Sequence, residues 1–116
     1  MNTNDLLQYA VPVLLIVGFL VFKRLGQISS AQARELVKQG AALVDVRSPG
    51  EFGTGHLPGA KNVPVQELGA KLGTLGPKDQ PIIVYCASGT RSAMARGLLK
   101  SNGFTQVYNL GAMGRW

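Results

Sequence analysis

Cysteine is nearly absent: Cys86 is the only one in 116 residues. A lone thiol excludes an internal disulfide, a multi-cysteine metal site and a second, resolving thiol in the same chain. No metal and no cofactor are therefore expected, and any chemistry begun at Cys86 must finish on an external group. Acidic residues are also scarce, with six Asp and Glu against 12 Lys and Arg and a formal net charge of +6. Such a surface suits small anions, anionic lipid or nucleic acid, and it serves general solubility equally well. Nucleic acid is the poorest fit, because there is no run of Lys and Arg, no aromatic-basic signature and no zinc-ligand spacing. The length allows one domain, and there is no internal repeat.

Charge is missing altogether from residues 6–22, LLQYAVPVLLIVGFLVF. As a helix these residues span about 26 Å, slightly short of a hydrocarbon core of roughly 30 Å. Lys23 and Arg24 can snorkel to cover the difference, and Pro12 is tolerated in a membrane helix. Positive charge is missing ahead of the run, in MNTND, so a cleaved secretory signal fits poorly. The expected organisation is a short tail at 1–5, a transmembrane helix at 6–22, a linker at 23–27 and a soluble domain at 28–116. Lys23 and Arg24 favour the cytoplasmic side. The expectation is a single-pass protein of a bacterial inner membrane with its domain in the cytoplasm. The linker reaches at most about 18 Å, which holds the domain close to the lipid surface.

In the soluble part, Ser29 and Gln32 form a capping box ahead of a helix whose apolar face is Ala33, Leu36 and Val37. Gly40 stops it. AALVDV at 41–46 and PIIVY at 81–85 read as buried strands, and 106–110 as the last strand. Residues 47–62 read as loop, with a short strand at 61–63 and a short helix at 65–72. A helix at 92–101 is expected to turn Met94, Gly97 and Leu98 toward the sheet. Strands alternating with helices predict an α/β fold, a central mostly parallel sheet with helices on both faces.

Cys86 follows the strand PIIVY at once, where open parallel sheets bind their ligands. The next residues, Ala87, Ser88, Gly89, Thr90 and Arg91, are mostly small. They can curl so that backbone N–H groups form an anion nest, backed by the N-terminus of the following helix. Arg91 adds a charge. Each feature stabilises a thiolate, the nucleophilic form of cysteine.

CASGTRS resembles the active-site loop of the single-domain rhodaneses, Cys-x-x-Gly-x-Arg. LVDVRSPGEFGTGHLPGAKNVP and VYNLGAMGRW resemble two further segments of that family, in the right order, so the resemblance covers about residues 28–116. It implies a rhodanese-like α/β domain behind one transmembrane helix. It implies that Cys86 takes sulfane sulfur from a small anionic donor such as thiosulfate, holds it as a persulfide and passes it to a thiol. The acceptor is a low-molecular thiol or a thioredoxin-like protein, and a membrane protein is a further possible partner. Residues 87–91 cradle the bound anion or persulfide. Asp45 and Arg47, in an Asp-x-Arg motif, support that loop or form a structural ion pair. His56, in Gly-His-Leu-Pro-Gly, is read as structural rather than as a general base.

Two other classes stay open. Arsenate reductases and Cdc25-like phosphatases carry a Cys-x5-Arg loop. Here the loop is Cys-x4-Arg, a tighter cradle better suited to one sulfur atom than to a tetrahedral oxyanion. A non-catalytic rhodanese-like binding module or sulfur carrier is the other class, although such modules commonly lose the cysteine that is present here. No cation beyond Arg91 marks the loop for thiosulfate.

Overall fold

The computed structural model describes residues 2–116. It opens with helix α1, Thr3–Arg24. The Asn2 side chain accepts from the Asp5 N–H at 2.9 Å, and Lys23 and Arg24 in the last turn complement the helix dipole. Its 22 residues span about 33 Å, so the helix alone is long enough to cross a membrane. No residue of α1 is buried, and its apolar window has a mean hydropathy of 2.1.

Residues 23–27, expected as a linker, are built into the structure. Lys23 and Arg24 complete α1. The Asn109 N–H donates to Gly26 O at 2.9 Å, and the Ile28 N–H donates to Asn109 O at 3.0 Å. The chain thus leaves α1 and pairs with the domain within a few residues, because unpaired backbone at this point would lose those hydrogen bonds.

The domain then runs α2 (Ser30–Lys38), β1 (Ala42–Asp45), α3 (Pro49–Gly53), β2 (Lys61–Asn62), β3 (Ile82–Cys86), α4 (Thr90–Ser101) and β4 (Val107–Ala112). The four strands form one parallel sheet in the order β2-β1-β3-β4. The central strand β3 is buried along its whole length. Its pleat sends Ile82, Val84 and Cys86 into a core with Leu68, Ala95, Leu99 and Phe104. Ile83 and Tyr85 enter the opposite core with Ala33, Leu43 and Leu110. Burying each large aliphatic side chain contributes about 1.5–3 kcal/mol.

Three local expectations change. The segment 47–62 contains α3, started by Pro49 and a capping box in which Ser48 and Glu51 satisfy each other's backbone N–H. The helix expected at 65–72 is two 3₁₀ turns, Val65–Ala70 and Leu72–Thr74, in a stretch where Gly69 and Gly73 weaken an α-helix. On α4 the buried face is Ser92, Ala93, Ala95 and Leu99, while Met94 is 52% exposed and Gly97 is also exposed. The small residues let the helix pack closely on the sheet and turn Ser92 toward Cys86.

The β3–β4 register shifts between Val84 and Tyr85, so that Val84 opposes Asn109 but Tyr85 opposes Gly111. β4 thereby gains one residue, and Gly111 takes a left-handed φ of +88°. The Asn109 side chain accepts from the Gly111 N–H at 2.8 Å and fixes the bulge. This shift brings Ala112 opposite Cys86.

Candidate active site

Cys86 ends β3 at the carboxyl edge of the sheet, and Thr90 starts α4. Between them the chain turns through Gly89, whose φ of +98° would strain any side chain. The turn aims the Gly89 N–H back at the thiol, and that nitrogen lies 2.9 Å from Cys86 Sγ. Ser92 Oγ lies 3.5 Å from Sγ and donates to Gly89 O at 3.1 Å. Cys86 and Ser92 are fully buried, beneath a rim of exposed Ala87 and Ser88. Thr90 and Arg91 are half-buried at the start of α4.

Burial pushes the Cys86 thiol up, since a buried thiolate loses its water. The Ser92 hydroxyl and the backbone N–H groups of Ser92, Gly89 and Ser88 outweigh that effect and hold the thiol below its ordinary value. A thiol here can donate to Ser92 Oγ, and a thiolate can accept from it. Ser92→Ala removes one donor to the anion, so the thiolate should form only at higher pH. The alkylation rate of Cys86 by a small haloacetamide should shift to higher pH and fall about three- to tenfold near neutrality. An unmoved profile would mean that the backbone donors alone set the thiolate.

Arg91, expected to lend its charge to the thiolate, pairs with Glu51. Arg91 Nη1 lies 2.7 Å from Oε1 and Nη2 lies 3.0 Å from Oε2. This pair, helped by the Ser48 N–H and hydroxyl, pulls the Glu51 carboxyl down to about 2. The same hydrogen bond raises Arg91. The hydrogen bonds of Arg91 thus go to Glu51, and its charge acts on Cys86 only at longer range, while the nearby donors touch the sulfur directly. Sequence reasoning missed Glu51. The Ser48 to Glu51 spacing signals a helix start, but nothing in it points to an arginine 40 residues away.

Asp45 and Arg47 form a buried ion pair at the end of β1. Arg47 Nη2 donates to Asp45 Oδ2 at 2.7 Å, and Nε donates to Oδ1 at 3.0 Å. Nη2 also donates to Gly55 O at 2.7 Å. Beside them the Tyr85 hydroxyl accepts from the Leu57 N–H at 3.0 Å, and burial pushes this phenol up to about 12, so it stays neutral. These bonds pin the chain after α3 to the sheet. The Asp45 and Arg47 side chains make no hydrogen bond to residues 87–91; they act on the segment that carries Glu51. His56 stacks on Phe52 at 3.8 Å, with Nδ1 3.2 Å from Phe52 O, which is a structural arrangement.

A buried cysteine whose sulfur faces backbone N–H groups at the carboxyl edge of a parallel sheet has the geometry suited to nucleophilic group transfer. Comparison with known proteins is specific about which kind. Residues 29–116 match the rhodanese-like domain. The chain is 32% identical to the uncharacterized protein YqhL of Bacillus subtilis over 99% of its own length and 92% of that protein. It is 39% identical to the thiosulfate sulfurtransferase GlpE of Ectopseudomonas mendocina, over 77% of this chain and 78% of that one. A human single-domain sulfurtransferase, TSTD1, superposes with a TM-score of 0.69 at 30% identity, covering 78% of this chain and 91% of that one. The chain belongs to the rhodanese-like family and so to the sulfurtransferase class of enzymes.

Proposed function

We propose that this protein is a membrane-anchored sulfurtransferase that moves sulfane sulfur through a persulfide on Cys86. The observation that carries this reading is the Sγ atom held between the Gly89 N–H and the Ser92 hydroxyl. The Cys86 thiolate attacks the outer sulfur of thiosulfate and forms a new S–S bond. The old S–S bond breaks, its electron pair leaves with sulfite, and Cys86 carries a persulfide anion. Residues 87–91 cradle the negative charge, now on the outer sulfur, with backbone N–H groups. An external thiolate then attacks the outer sulfur, and Cys86 leaves as thiolate, ready for the next donor. With one cysteine in the chain, the acceptor is a second molecule, a low-molecular thiol or a thioredoxin-like protein.

Helix α1 supports the anchoring: it is long and apolar enough to span a bilayer, and none of it is buried in the fold. Lys23 and Arg24 at its end favour a cytoplasmic domain. A donor or acceptor that works at the membrane face, such as a membrane protein, suits this placement. Phosphate or arsenate chemistry is disfavoured, because Arg91 is turned to Glu51 and does not close a cradle for an oxyanion.

Intact-mass spectrometry of the full chain in non-ionic detergent, after incubation with thiosulfate, tests the reading. The expected result is a gain of one sulfur atom that cyanide or a reducing thiol removes. No gain from thiosulfate, mercaptopyruvate or polysulfide would sink it.

A further inference from the structure

The end of α1 does more than lead into the domain. A cavity of about 470 Å³ opens between this helix end and the Cys86 loop, and Lys23, Arg24, Gln27, Ser88 and Arg115 line it. Lys23 lies on the loop itself: its Cε is 3.6 Å from the position that a Cβ on Gly89 would occupy. The backbone beneath it is fixed, because the Asn109 side chain donates to Lys23 O at 3.3 Å and Asn109 pairs with residues 26 and 28. Arg115 is fixed too, donating to Leu110 O at 3.1 Å and Ile28 O at 3.2 Å. Both of its partners are carbonyls, so its charge is not neutralised. Among the described residues, none of the three cations has a carboxylate within ion-pair distance.

The cavity therefore holds three uncompensated positive charges, and its wall includes the rim residue Ser88 of the loop that carries Cys86. The loop contributes no free cation of its own, since Arg91 is committed to Glu51. We propose that Lys23, Arg24 and Arg115 form the binding site for the oxyanion end of the sulfur donor, so that the membrane helix supplies part of the active site. The class of donor is a small divalent anion such as thiosulfate. The site orients its sulfane sulfur toward Cys86 and stabilises the departing sulfite. The transfer balances as Cys86 thiolate plus thiosulfate dianion giving Cys86 persulfide anion plus sulfite dianion. This inference rests on the sulfur-transfer reading and names the substrate contacts of that same site.

The test uses the full chain in non-ionic detergent, with cyanide as acceptor and thiocyanate as readout. Lys23→Gln should raise KM for thiosulfate about fivefold to tenfold, the loss of one close charge contact. The rise should be several times larger than for a neutral organic trisulfide. Lys23→Arg should restore most of the thiosulfate KM, and Lys38→Gln, on α2, should leave it unchanged. Equal changes for both donors would show that Lys23 only packs against the loop and would overturn the proposal. A second arm compares detergent with nanodiscs of phosphatidylglycerol. If Lys23→Gln has no effect in detergent, and phosphatidylglycerol raises KM only in the Lys23 chain, the cavity belongs to a lipid phosphate and the proposal fails. A third arm separates this inference from the reaction itself. Calorimetric titration of the Cys86→Ser chain with thiosulfate should give binding that Lys23→Gln weakens. That result stands even if the wild type forms no persulfide, in which case the sulfur-transfer reading falls alone. If Cys86→Ser binds no thiosulfate, the anion site falls.

Discussion

Cys86→Ser should abolish sulfur loading. In the intact-mass experiment the variant should gain no sulfur atom from thiosulfate, and thiocyanate formation should fall at least about a thousandfold, as when an enzyme loses its nucleophile. The physical reason lies in the acid strength of the two groups. The donors at residue 86 hold a thiol below its ordinary value. An alcohol in the same place stays protonated near neutrality and cannot form a persulfide. The fold should survive, because the hydroxyl is slightly smaller than the thiol and finds Ser92 Oγ and the Gly89 N–H already in place. Circular dichroism and the thermal midpoint should therefore stay close to wild type. With no other cysteine in the chain, sulfur retained by a folded Cys86→Ser protein could not be a cysteine persulfide. That outcome would refute the mechanism.

The sequence made much of this site legible because its signals are local. A run such as PIIVY must be buried, and a buried parallel strand must deliver its next residue to the carboxyl edge. That rule alone places Cys86, and the small residues after it allow the loop to curl, while the left-handed turn at Gly89 is seen only in the fold. The capping box at Ser29 and Gln32 was readable for the same reason, since all its partners lie within one turn. Long-range pairing was not readable. Glu51 meets Arg91, and Lys23 meets Gly89, only because α3 and the end of α1 are folded onto the β3–α4 turn. Leu98 of α4 packs against the core as its hydrophobicity predicts, but Met94 is turned to solvent, because close packing on the sheet requires the small Ser92 and Ala95.

The charge balance of the site follows from those pairings. Read from sequence, Arg91 is the cation of the loop. In the fold it serves to hold Glu51, and through Glu51 the start of α3. Arg47 holds the other end of the same segment at Gly55, and Tyr85 holds it again at Leu57. The segment is thus tied at three points, to the ends of β1 and β3 and to the first turn of α4. The cations left to face a donor come from α1 and the C-terminal turn, Lys23, Arg24 and Arg115.

Breaking the innermost of these ties should have the largest effect on stability. Asp45→Asn keeps the size of the side chain but removes the charge opposite Arg47. Asp45 is fully buried and Arg47 is 6% exposed, so the guanidinium would be left with no anion and little water. Removing one partner of a buried ion pair typically costs about 3–5 kcal/mol. Against a domain stability of about 5–15 kcal/mol, that should lower the thermal midpoint by more than about 10 °C. Removing both charges together should cost much less. In Asp45→Leu with Arg47→Met no charge is left to desolvate, and replacing a buried pair by apolar side chains is often neutral or stabilising. The Gly55 carbonyl would still lose its donor, so the double variant should regain most of the midpoint while loading sulfur more slowly than wild type. Thermal melts of Asp45→Leu, Arg47→Met and the double variant, combined as a cycle, measure the coupling directly. If the double variant is no more stable than the sum of two independent losses, the pair contributes through separate contacts, and the tie from β1 to the Glu51 segment is not the ion pair.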